Sequence, residues 1–271
     1  MGEASGFSQI FFAHGAPTLY NSLVSAYLDS AIEAAQAAGG FLRAHFGRPL
    51  KVDANEAHDI KLELDRRSQA LIEYLLLEKF PDHAIYGEEG MRGDPASEFQ
   101  WVIDPIDGTV NFFYGVPHFA ISIALRQSGK IIAGVIYDPM RDELWAVEEG
   151  GTPTLNGQPI VVSERTSLAE AIVSVGVAKS LDSINRGLPL FERLVRSAKK
   201  CRMMGSAALD IAYVASGRLD AYIESQISLW DVAAGILLVE RAGGKVVMEP
   251  HATAADKFSI VASSGNLDLG L

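Results

Sequence analysis

The sequence predicts an α/β protein in which helices pack against two β-sheets. Three observations support this fold class: two helical patterns open the chain, a series of strands follows, and strands then alternate with helices to the end. The chain has 271 residues, 48% of them hydrophobic and 21% charged. It is therefore globular in composition and large enough for a sizeable core.

The first part of the chain is predicted to place two helices against a mostly antiparallel sheet. Apolar residues recur at helical spacing over 22–45, and a second helix is predicted over 68–79. Three alternating strands are predicted, at 119–126, 131–137 and 143–147. The pair Asn156-Gly157 is typical of a hairpin turn between two short strands.

The second part alternates strands with helices, which predicts a three-layer α/β arrangement. Strands are predicted at 171–177, 221–224, 245–248 and 259–262. Helices are predicted at 188–199, 207–216 and 231–242. We therefore expect an N-terminal extension followed by an α+β part and an α/β part, with boundaries at 1–20, 21–150 and 151–271.

The charge balance and the single cysteine limit the classes of function. The formal net charge is -11, which argues against binding to nucleic acid or to an anionic membrane. The chain has no run of 18 apolar residues and no secretory signal at its start, so no membrane segment is predicted. Cys201 alone predicts no internal disulfide and a reducing compartment, and we expect a cytoplasmic protein.

The most informative stretch, residues 101–109, reads Trp-Val-Ile-Asp-Pro-Ile-Asp-Gly-Thr. An apolar run typical of a buried strand leads directly into Asp104 and Asp107. Two neighbouring buried anions are costly unless a cation neutralises them, and Mg²⁺ binds carboxylate oxygens well. Pro105 fixes φ and removes an N–H, so a turn is expected between the two acids.

The last two residues of this stretch suggest an anion site beside the metal. Gly108 would let the backbone approach a ligand, and Thr109 would cap a helix whose free N–H groups face a phosphate. The motif therefore favours a phosphate-ester hydrolase. The alternative is a capped surface turn, because Asp-Pro and Asp-Gly are common turn signals.

Acids at two other places could join this site. Glu88 and Glu89 follow a short apolar strand, and Asp231 precedes an apolar helix. Taken singly, the two glutamates are typical of solvated loop charges and Asp231 of a helix cap. Acids at three separate element ends are more consistent with one shared metal site.

Four segments of the chain resemble the inositol monophosphatase family of lithium-sensitive, magnesium-dependent phosphatases. They are Gly-Glu-Glu at 87–89, Trp-Val-Ile-Asp-Pro-Ile-Asp-Gly-Thr-Val-Asn-Phe at 101–112, Gly-Ser-Ala-Ala at 205–208 and Trp-Asp-Val-Ala-Ala-Gly at 230–235. Their order and spacing match from about residue 24 to about residue 265. The resemblance implies the family's layered αβαβα sandwich, with the site where the two parts meet.

The resemblance also implies a set of two to three Mg²⁺ ions. A first ion would be held by Glu88, Asp104 and the backbone carbonyl of Ile106, and a second by Asp104, Asp107 and Asp231. A third, weaker ion would lie beside Glu88. Such all-oxygen ligands suit Mg²⁺, which keeps several waters and also binds substrate phosphate.

In the implied mechanism, a water activated by the metal attacks the phosphorus. Asp65 and Thr109 would orient and deprotonate that water, with Glu88 also in the catalytic set. Asp65 could instead, or also, be the N-cap of a helix starting near Arg66. Metal activation supplies most of the nucleophile's reactivity, so loss of Asp65 is expected to matter less than loss of Asp104.

The implied substrate contacts come from three places in the chain. The phosphate would lie over Gly108 and Thr109, and substrate hydroxyls would meet Glu224 and the segment Gly205, Ser206 and Ala207. Glu224 could alternatively be a charge on an edge strand. Two further residues, Glu89 and Arg202, would support the site from outside the ligand shell.

The resembling segments indicate the reaction more closely than the substrate. Residues 110–117 resemble the inositol monophosphatase branch of the family, and Glu224 matches a position of members that bind a polyol, so the resemblance implies an inositol monophosphate. Histidinol phosphate, fructose 1,6-bisphosphate, NADP and nucleotide 3′-phosphates are the alternatives. A non-catalytic metal-binding interaction protein is a further alternative, and the resemblance also implies a homodimer.

Overall fold

The computed structural model describes residues 17–55, 60–178, 180–251 and 257–271. Within them are six α-helices: α1 Pro17–His45, α2 Glu63–Lys79, α3 Thr109–Phe113, α4 Leu181–Ser197, α5 Ala207–Ala215 and α6 Leu229–Arg241. The strands of the first part are β1 Val52–Asn55, β2 Ile60–Leu62, β3 Ala84–Gly87, β4 Gly90–Arg92, β5 Phe99–Asp107, β6 Ala120–Gln127, β7 Lys130–Asp138, β8 Glu143–Glu148, β9 Thr154–Leu155 and β10 Gln158–Pro159. The later strands are β11 Ile172–Gly176, β12 Lys200–Arg202, β13 Ala221–Ser228, β14 Lys245–Pro250 and β15 Lys257–Ser263.

The larger sheet has eight strands in the order β10-β9-β8-β7-β6-β5-β3-β4. Its pairs are antiparallel except β3 and β5, which run parallel. Alternate residues along a strand point to opposite faces. Thus Ile123 packs with α1 and α2, whereas the next residue, Ala124, packs with α5 and α6. Both faces of this sheet are consequently covered by helices.

The smaller sheet has five strands in the order β12-β11-β13-β15-β14. Val173 and Val175 of β11 share a core with Leu194 of α4, while Tyr222 of β13 and Ala262 of β15 share a core with α5 and α6. Helices α5 and α6 are therefore sandwiched between the two sheets. The predicted α/β class and the αβαβα layering are both confirmed.

Several element bounds differ from the prediction. Helix α4 begins at Leu181 rather than at 188, because the Ser180 hydroxyl caps it by accepting from the Ser183 N–H at 3.1 Å. Pro189 consequently lies inside the helix. Strands β1, β2, β4 and β12 were not predicted from the sequence.

Most of the predicted N-terminal extension lies outside the described residues, because α1 begins at Pro17. The first sheet continues past residue 150 through β9 and β10. The proposed division of the chain at 150 stays a prediction. Across the described residues, no helix combines the length and the apolar composition that a membrane-spanning segment requires.

A candidate metal and phosphate site between the two sheets

Four carboxylates from three separate elements converge between the sheets. Asp104 and Asp107 lie at the C-terminal end of β5, and Asp231 lies in the first turn of α6. One carboxylate oxygen from each of the three lies within 4.8 Å of the others. Glu88 directly follows β3, the parallel neighbour of β5, and its carboxyl is hydrogen-bonded to Asp104.

The two β5 acids are arranged by a bulge and not by the predicted turn. Strand β5 continues through Pro105 to Asp107, with a register shift against β6 between Asp104 and Asp107. The pairing with β3 ends at Ile103, so no β3–β5 hydrogen bond requires an N–H at position 105, and a proline is tolerated there. The bulge lets both acids face one site, and the Asp104 carboxylate accepts from the Ile106 N–H at 3.0 Å.

The electrostatics of this cluster favour a bound cation. Burial, followed by the negative charge of Asp231, raises the pKa values of Glu88 and Asp107 to about 8. Burial and then Glu88 and Asp107 raise the pKa of Asp104 well above its usual range, and burial also raises that of Asp231. Burial disfavours the ionised form of all four acids, and neighbouring acids add to this effect in Glu88, Asp104 and Asp107. A bound cation would stabilise the ionised forms.

The donor set fits Mg²⁺ in particular. It consists of carboxylate oxygens with the backbone carbonyl of Ile106 nearby, and it offers no sulfur or imidazole ligand among the clustered residues. Hard oxygen ligands are those that Mg²⁺ prefers. These residues would therefore hold Mg²⁺, with Asp104 central because it contacts both Glu88 and Asp231.

A threonine and an aspartate lie at the edge of the acid cluster. The Thr109 hydroxyl is 2.9 Å from the Ile106 carbonyl and 3.4 Å from the Asp65 carboxylate. Asp65 also accepts from the Leu62 N–H at 2.7 Å, because it is the third residue of α2 and not a cap near Arg66. Asp65 thus caps the start of α2 through its side chain and also contacts Thr109 at the acid cluster.

Gly108, and not Thr109, is the cap of the short helix α3. Its φ is +95°, in the left-handed region that favours glycine. A Cβ at this position would lie 3.0 Å from the Gly205 carbonyl and 3.1 Å from the His118 carbonyl. The predicted phosphate-binding segment is therefore shaped by a glycine that packs directly against the second part of the chain.

The segment predicted to bind substrate also holds one of the acids. The Ser206 hydroxyl donates to Asp107, and the N–H groups of Ala207 and Ala208 donate to the same carboxylate at 3.2 and 2.9 Å. These donors are at the start of α5, where free N–H groups favour a negative charge. They fix the position of Asp107, and they place the N-terminal end of α5 next to the acid cluster.

A cavity of about 430 Å³ adjoins the acids. Its lining includes Asp107, Asp231, Gly205, Ser206, Ala207 and Glu224, together with Asp210 and Tyr222. The Tyr222 hydroxyl donates to the Glu224 carboxylate, and burial raises the pKa of Glu224 to about 7. Glu224 therefore faces a buried cavity beside the acids and is not an exposed edge-strand charge.

Glu89 and Arg202 belong neither to the clustered metal-binding acids nor to the cavity lining. The Glu89 N–H donates to the Gln69 side chain at 2.9 Å, so this residue shapes the acidic turn through its backbone. Arg202 is exposed, and its guanidinium donates to the Cys201 carbonyl at 3.0 Å. It is absent from the lining of the cavity.

Sequence reasoning missed three residues of the site. Gln69 binds the backbone of the Glu89 turn, and no local sequence signal marks it, because its partner is twenty positions away. The Asn111 amide donates to the His118 and Met204 carbonyls at 2.8 and 2.9 Å and so joins the two parts. Asp210 is an acid within an otherwise apolar helix, which was its signal.

Comparison with known proteins identifies the family. The sequence model of the inositol monophosphatase family matches residues 24–267. The chain belongs to the inositol monophosphatase family. Its relatives include a Nus factor SuhB of Pseudomonas aeruginosa, with 40% identity over 227 residues, covering 81% of this chain and 84% of the relative. A fructose-1,6-bisphosphatase/inositol-1-monophosphatase of Thermotoga maritima is 39% identical over 222 residues, covering 81% and 83%.

Solved structures of family members share the fold. The extragenic suppressor protein suhB of Bartonella henselae superposes with a TM-score of 0.82 and 33% sequence identity, over 89% of this chain and 95% of that one. Members of this family with different names therefore have the same layered architecture. The family supports a phosphatase, whereas the substrate has to be argued from the site.

Proposed function

We propose that this protein hydrolyses a small phosphate monoester, with inositol monophosphate as the favoured substrate, in a Mg²⁺-dependent reaction. The observation that carries the proposal is the convergence of Glu88, Asp104, Asp107 and Asp231 beside a cavity of about 430 Å³. Such a cavity accommodates a small organic ligand. The four acids would hold two to three Mg²⁺ ions between them.

The chain's own residues supply positioning and proton handling. Bound Mg²⁺ would neutralise the phosphate charge and lower the pKa of water. The Thr109 hydroxyl, between the Ile106 carbonyl and Asp65, would accept a hydrogen bond from the attacking water. Asp65 would take up a proton from the water through Thr109 as the new P–O bond forms. The ester P–O bond would break at the same time, and the leaving alkoxide would take a proton from solvent. The N–H groups at Gly108 and Thr109 would orient the phosphate.

Glu224 supports an alcohol leaving group rich in hydroxyls. Its carboxylate is buried in the cavity wall and hydrogen-bonded to Tyr222, which leaves acceptor capacity for a substrate hydroxyl. Ala207 and Gly205 form the neighbouring wall. Histidinol phosphate and a sugar bisphosphate are the next candidates, and the name of the Thermotoga relative supports the second of these.

Other family features are part of the same proposal. We infer a cytoplasmic homodimer that is inhibited by Li⁺, since the small ion would compete for the position between Asp104, Asp107 and Asp231. The net charge of -11 supports a small-molecule substrate over a nucleic acid. The alternative is a non-catalytic role, favoured by the Nus factor name of the Pseudomonas relative.

Phosphate release with Mg²⁺ from a panel of esters tests the proposal. The panel is inositol 1-phosphate, histidinol phosphate, fructose 1,6-bisphosphate, NADP and 3′-phosphoadenosine 5′-phosphate. A preference of about a hundredfold in kcat/KM, about 2.7 kcal/mol, would identify the substrate class. Release from none of them with Mg²⁺ binding intact would instead support the non-catalytic role.

Asp104→Asn provides the matched site test. We expect turnover to fall below about a tenth of wild type and Mg²⁺ binding to weaken, because one ligand shared by two ions loses its charge. Glu192→Gln is the control, since Glu192 is exposed and pairs with Arg196 on the outer helix α4. Retention of more than a tenth of the activity by Asp104→Asn would contradict the assignment.

A further inference from the structure

Asp210 is a buried acid in the cavity wall to which the proposed reaction gives no role. It is only 2% exposed, although it lines the cavity. One carboxylate oxygen accepts from the Ser174 hydroxyl at 2.7 Å. The other oxygen, Oδ1, is buried and has no hydrogen-bond partner among the residues that the structure describes. A buried acceptor without a donor is costly and calls for an explanation.

The local fold does not explain a carboxylate at this position. Helix α5 is capped by Ser206, whose hydroxyl accepts from the Leu209 N–H at 3.4 Å. The bond from Ser174 needs one acceptor oxygen, which an asparagine would supply equally well. Burial raises the pKa of Asp210 to about 7, because the ionised carboxylate loses its contact with water. A ligand that donates to Oδ1 would offset that cost.

The same cavity presents a second acceptor. One carboxylate oxygen of Glu224 accepts a hydrogen bond from the Tyr222 hydroxyl. Gly176 leaves room for it, because a Cβ at that position would collide with the Glu224 carboxylate. Among the described lining residues there is no lysine or arginine. With Asp107 and Asp231 assigned to Mg²⁺, Asp210 and Glu224 are the two acids left to face a leaving group.

We propose that Asp210 is a substrate-binding residue whose free Oδ1 accepts a hydrogen bond from the leaving group. Together with Glu224 it selects leaving groups that carry at least two donors, either hydroxyl or ammonium groups. Esters whose leaving groups lack donors, such as phenyl phosphate, would leave both acceptors unpaired and be poor substrates. This inference rests on the proposed phosphatase function and adds a specificity element to it.

Asp210→Asn tests the inference through substrate preference. Its amide oxygen can still accept from Ser174, while its NH₂ group would replace the free acceptor with a donor. We expect kcat/KM for inositol 1-phosphate, divided by that for phenyl phosphate, to fall about tenfold. The same ratio is measured with histidinol phosphate in place of inositol 1-phosphate. If the ammonium group of histidinol is the donor to Oδ1, we expect this second ratio to fall about a hundredfold. The larger fall identifies the class of donor.

Ser174→Ala is the matched control. It removes the structural partner of Asp210 and keeps the Asp210 carboxylate itself, so the preference for the donor-rich ester is expected to stay within about threefold of wild type. A ratio that is unchanged in Asp210→Asn, or that falls equally in both variants, would overturn the inference. Thermal melting of each variant establishes that it is folded.

The wild-type enzyme gives a test that does not depend on folding of a variant. If it releases phosphate from phenyl phosphate at least as efficiently as from both donor-rich esters, the role of Asp210 is refuted and the phosphatase function stands. If it releases phosphate from none of the three esters, the proposed function and this inference both fail.

Discussion

At the scale of single residues, Gln69 links the helix that carries Asp65 to the turn that carries Glu88. Its amide oxygen accepts from the Glu89 N–H at 2.9 Å, and its NH₂ group donates to Glu73 at 2.8 Å. A Cβ on Gly87 would collide with this amide, so the glycine keeps the two elements in contact. The position of Glu88 therefore depends on a neutral side chain that binds no metal.

Replacement of this glutamine measures that dependence. We expect Gln69→Ala to weaken Mg²⁺ activation by roughly 10- to 100-fold, the usual effect of losing a partner that orients a metal ligand. The readout is the Mg²⁺ concentration for half-maximal phosphate release. Gln127→Ala is the control, because the Gln127 side chain bonds the exposed Glu98 at 2.6 Å, on the surface of the larger sheet. Equal Mg²⁺ requirements in both variants would show that Gln69 does not position Glu88.

The sequence could predict those site residues that combine a metal-binding side chain with a recognisable pattern in the neighbouring residues. Asp104 and Asp107 stand beside a proline and a glycine after an apolar run, so one short window contains the pattern. Gln69 has no such window, since its partner Glu89 is twenty positions away and joined only by the tertiary fold. Asp210 was visible as an acid in an apolar helix, but its cavity was not.

At the scale of elements, the start of α5 is where the smaller part of the molecule reaches the metal ligands. Ser206 caps the helix and donates to Asp107, and the next two N–H groups bind the same carboxylate. The free N–H groups of a helix start stabilise a negative charge. The helix start therefore orients Asp107 before any ligand is bound, and its hydrogen bonds offset part of the rise in pKa that burial causes.

Ser206→Ala separates the two functions of this helix start. Loss of the cap is expected to destabilise the protein by about 1 kcal/mol, and the freed Asp107 should raise the Mg²⁺ concentration for half-maximal activity several-fold. Ser216→Ala is the control at the other end of α5, where the hydroxyl bonds the Ala212 carbonyl at 2.8 Å. A similar Mg²⁺ requirement in the two variants would argue against a role for Ser206 in holding Asp107.

Elements were predictable where their pattern is long. The core strands β6, β7 and β8 match the predicted bounds within one residue at every end, because each is an apolar run bounded by turn residues. The strands that were missed are short, and pairing with a distant neighbour defines them; β12, for example, exists because it pairs with β11. Helix α4 starts before the predicted residue 188, because its N-cap is Ser180 and Pro189 is accommodated inside the helix.

At the scale of the whole molecule, the site joins two sheets that are separated by a layer of helices. Asp104 and Asp107 belong to the larger sheet, whereas Asp231 belongs to α6 in the central layer. Helix α5 is buried along its whole length and α6 along most of it, as expected of helices covered on two sides. The resemblance to the family predicted this layering; local patterns alone gave two separate parts.

The stability of the metal-free protein should therefore depend on pH through these acids. The folded state raises the pKa values of Glu88 and Asp107 to about 8, so it retains protons that the unfolded chain loses near pH 4. Their contribution to stability is complete below about pH 4 and is lost as the pH rises toward 8. Buried His118, with its pKa lowered to about 4, acts in the opposite direction only below its unfolded value of 6.5.

Thermal unfolding at pH 6.5 and pH 8 tests this expectation with and without Mg²⁺. Without metal, we expect the wild type to lose more stability across this interval than Asp104→Asn, in which one buried acid of the cluster is neutral. Mg²⁺ at a hundred times its Kd should add about 2.7 kcal/mol, or roughly 5–10 °C in Tm, and the apparent Kd should be lower at pH 8, because fewer protons compete for the ligands. Glu192→Gln should behave as wild type throughout. A Mg²⁺ affinity that is equal at the two pH values, or equal in wild type and Asp104→Asn, would mean that these carboxylates do not form the metal site.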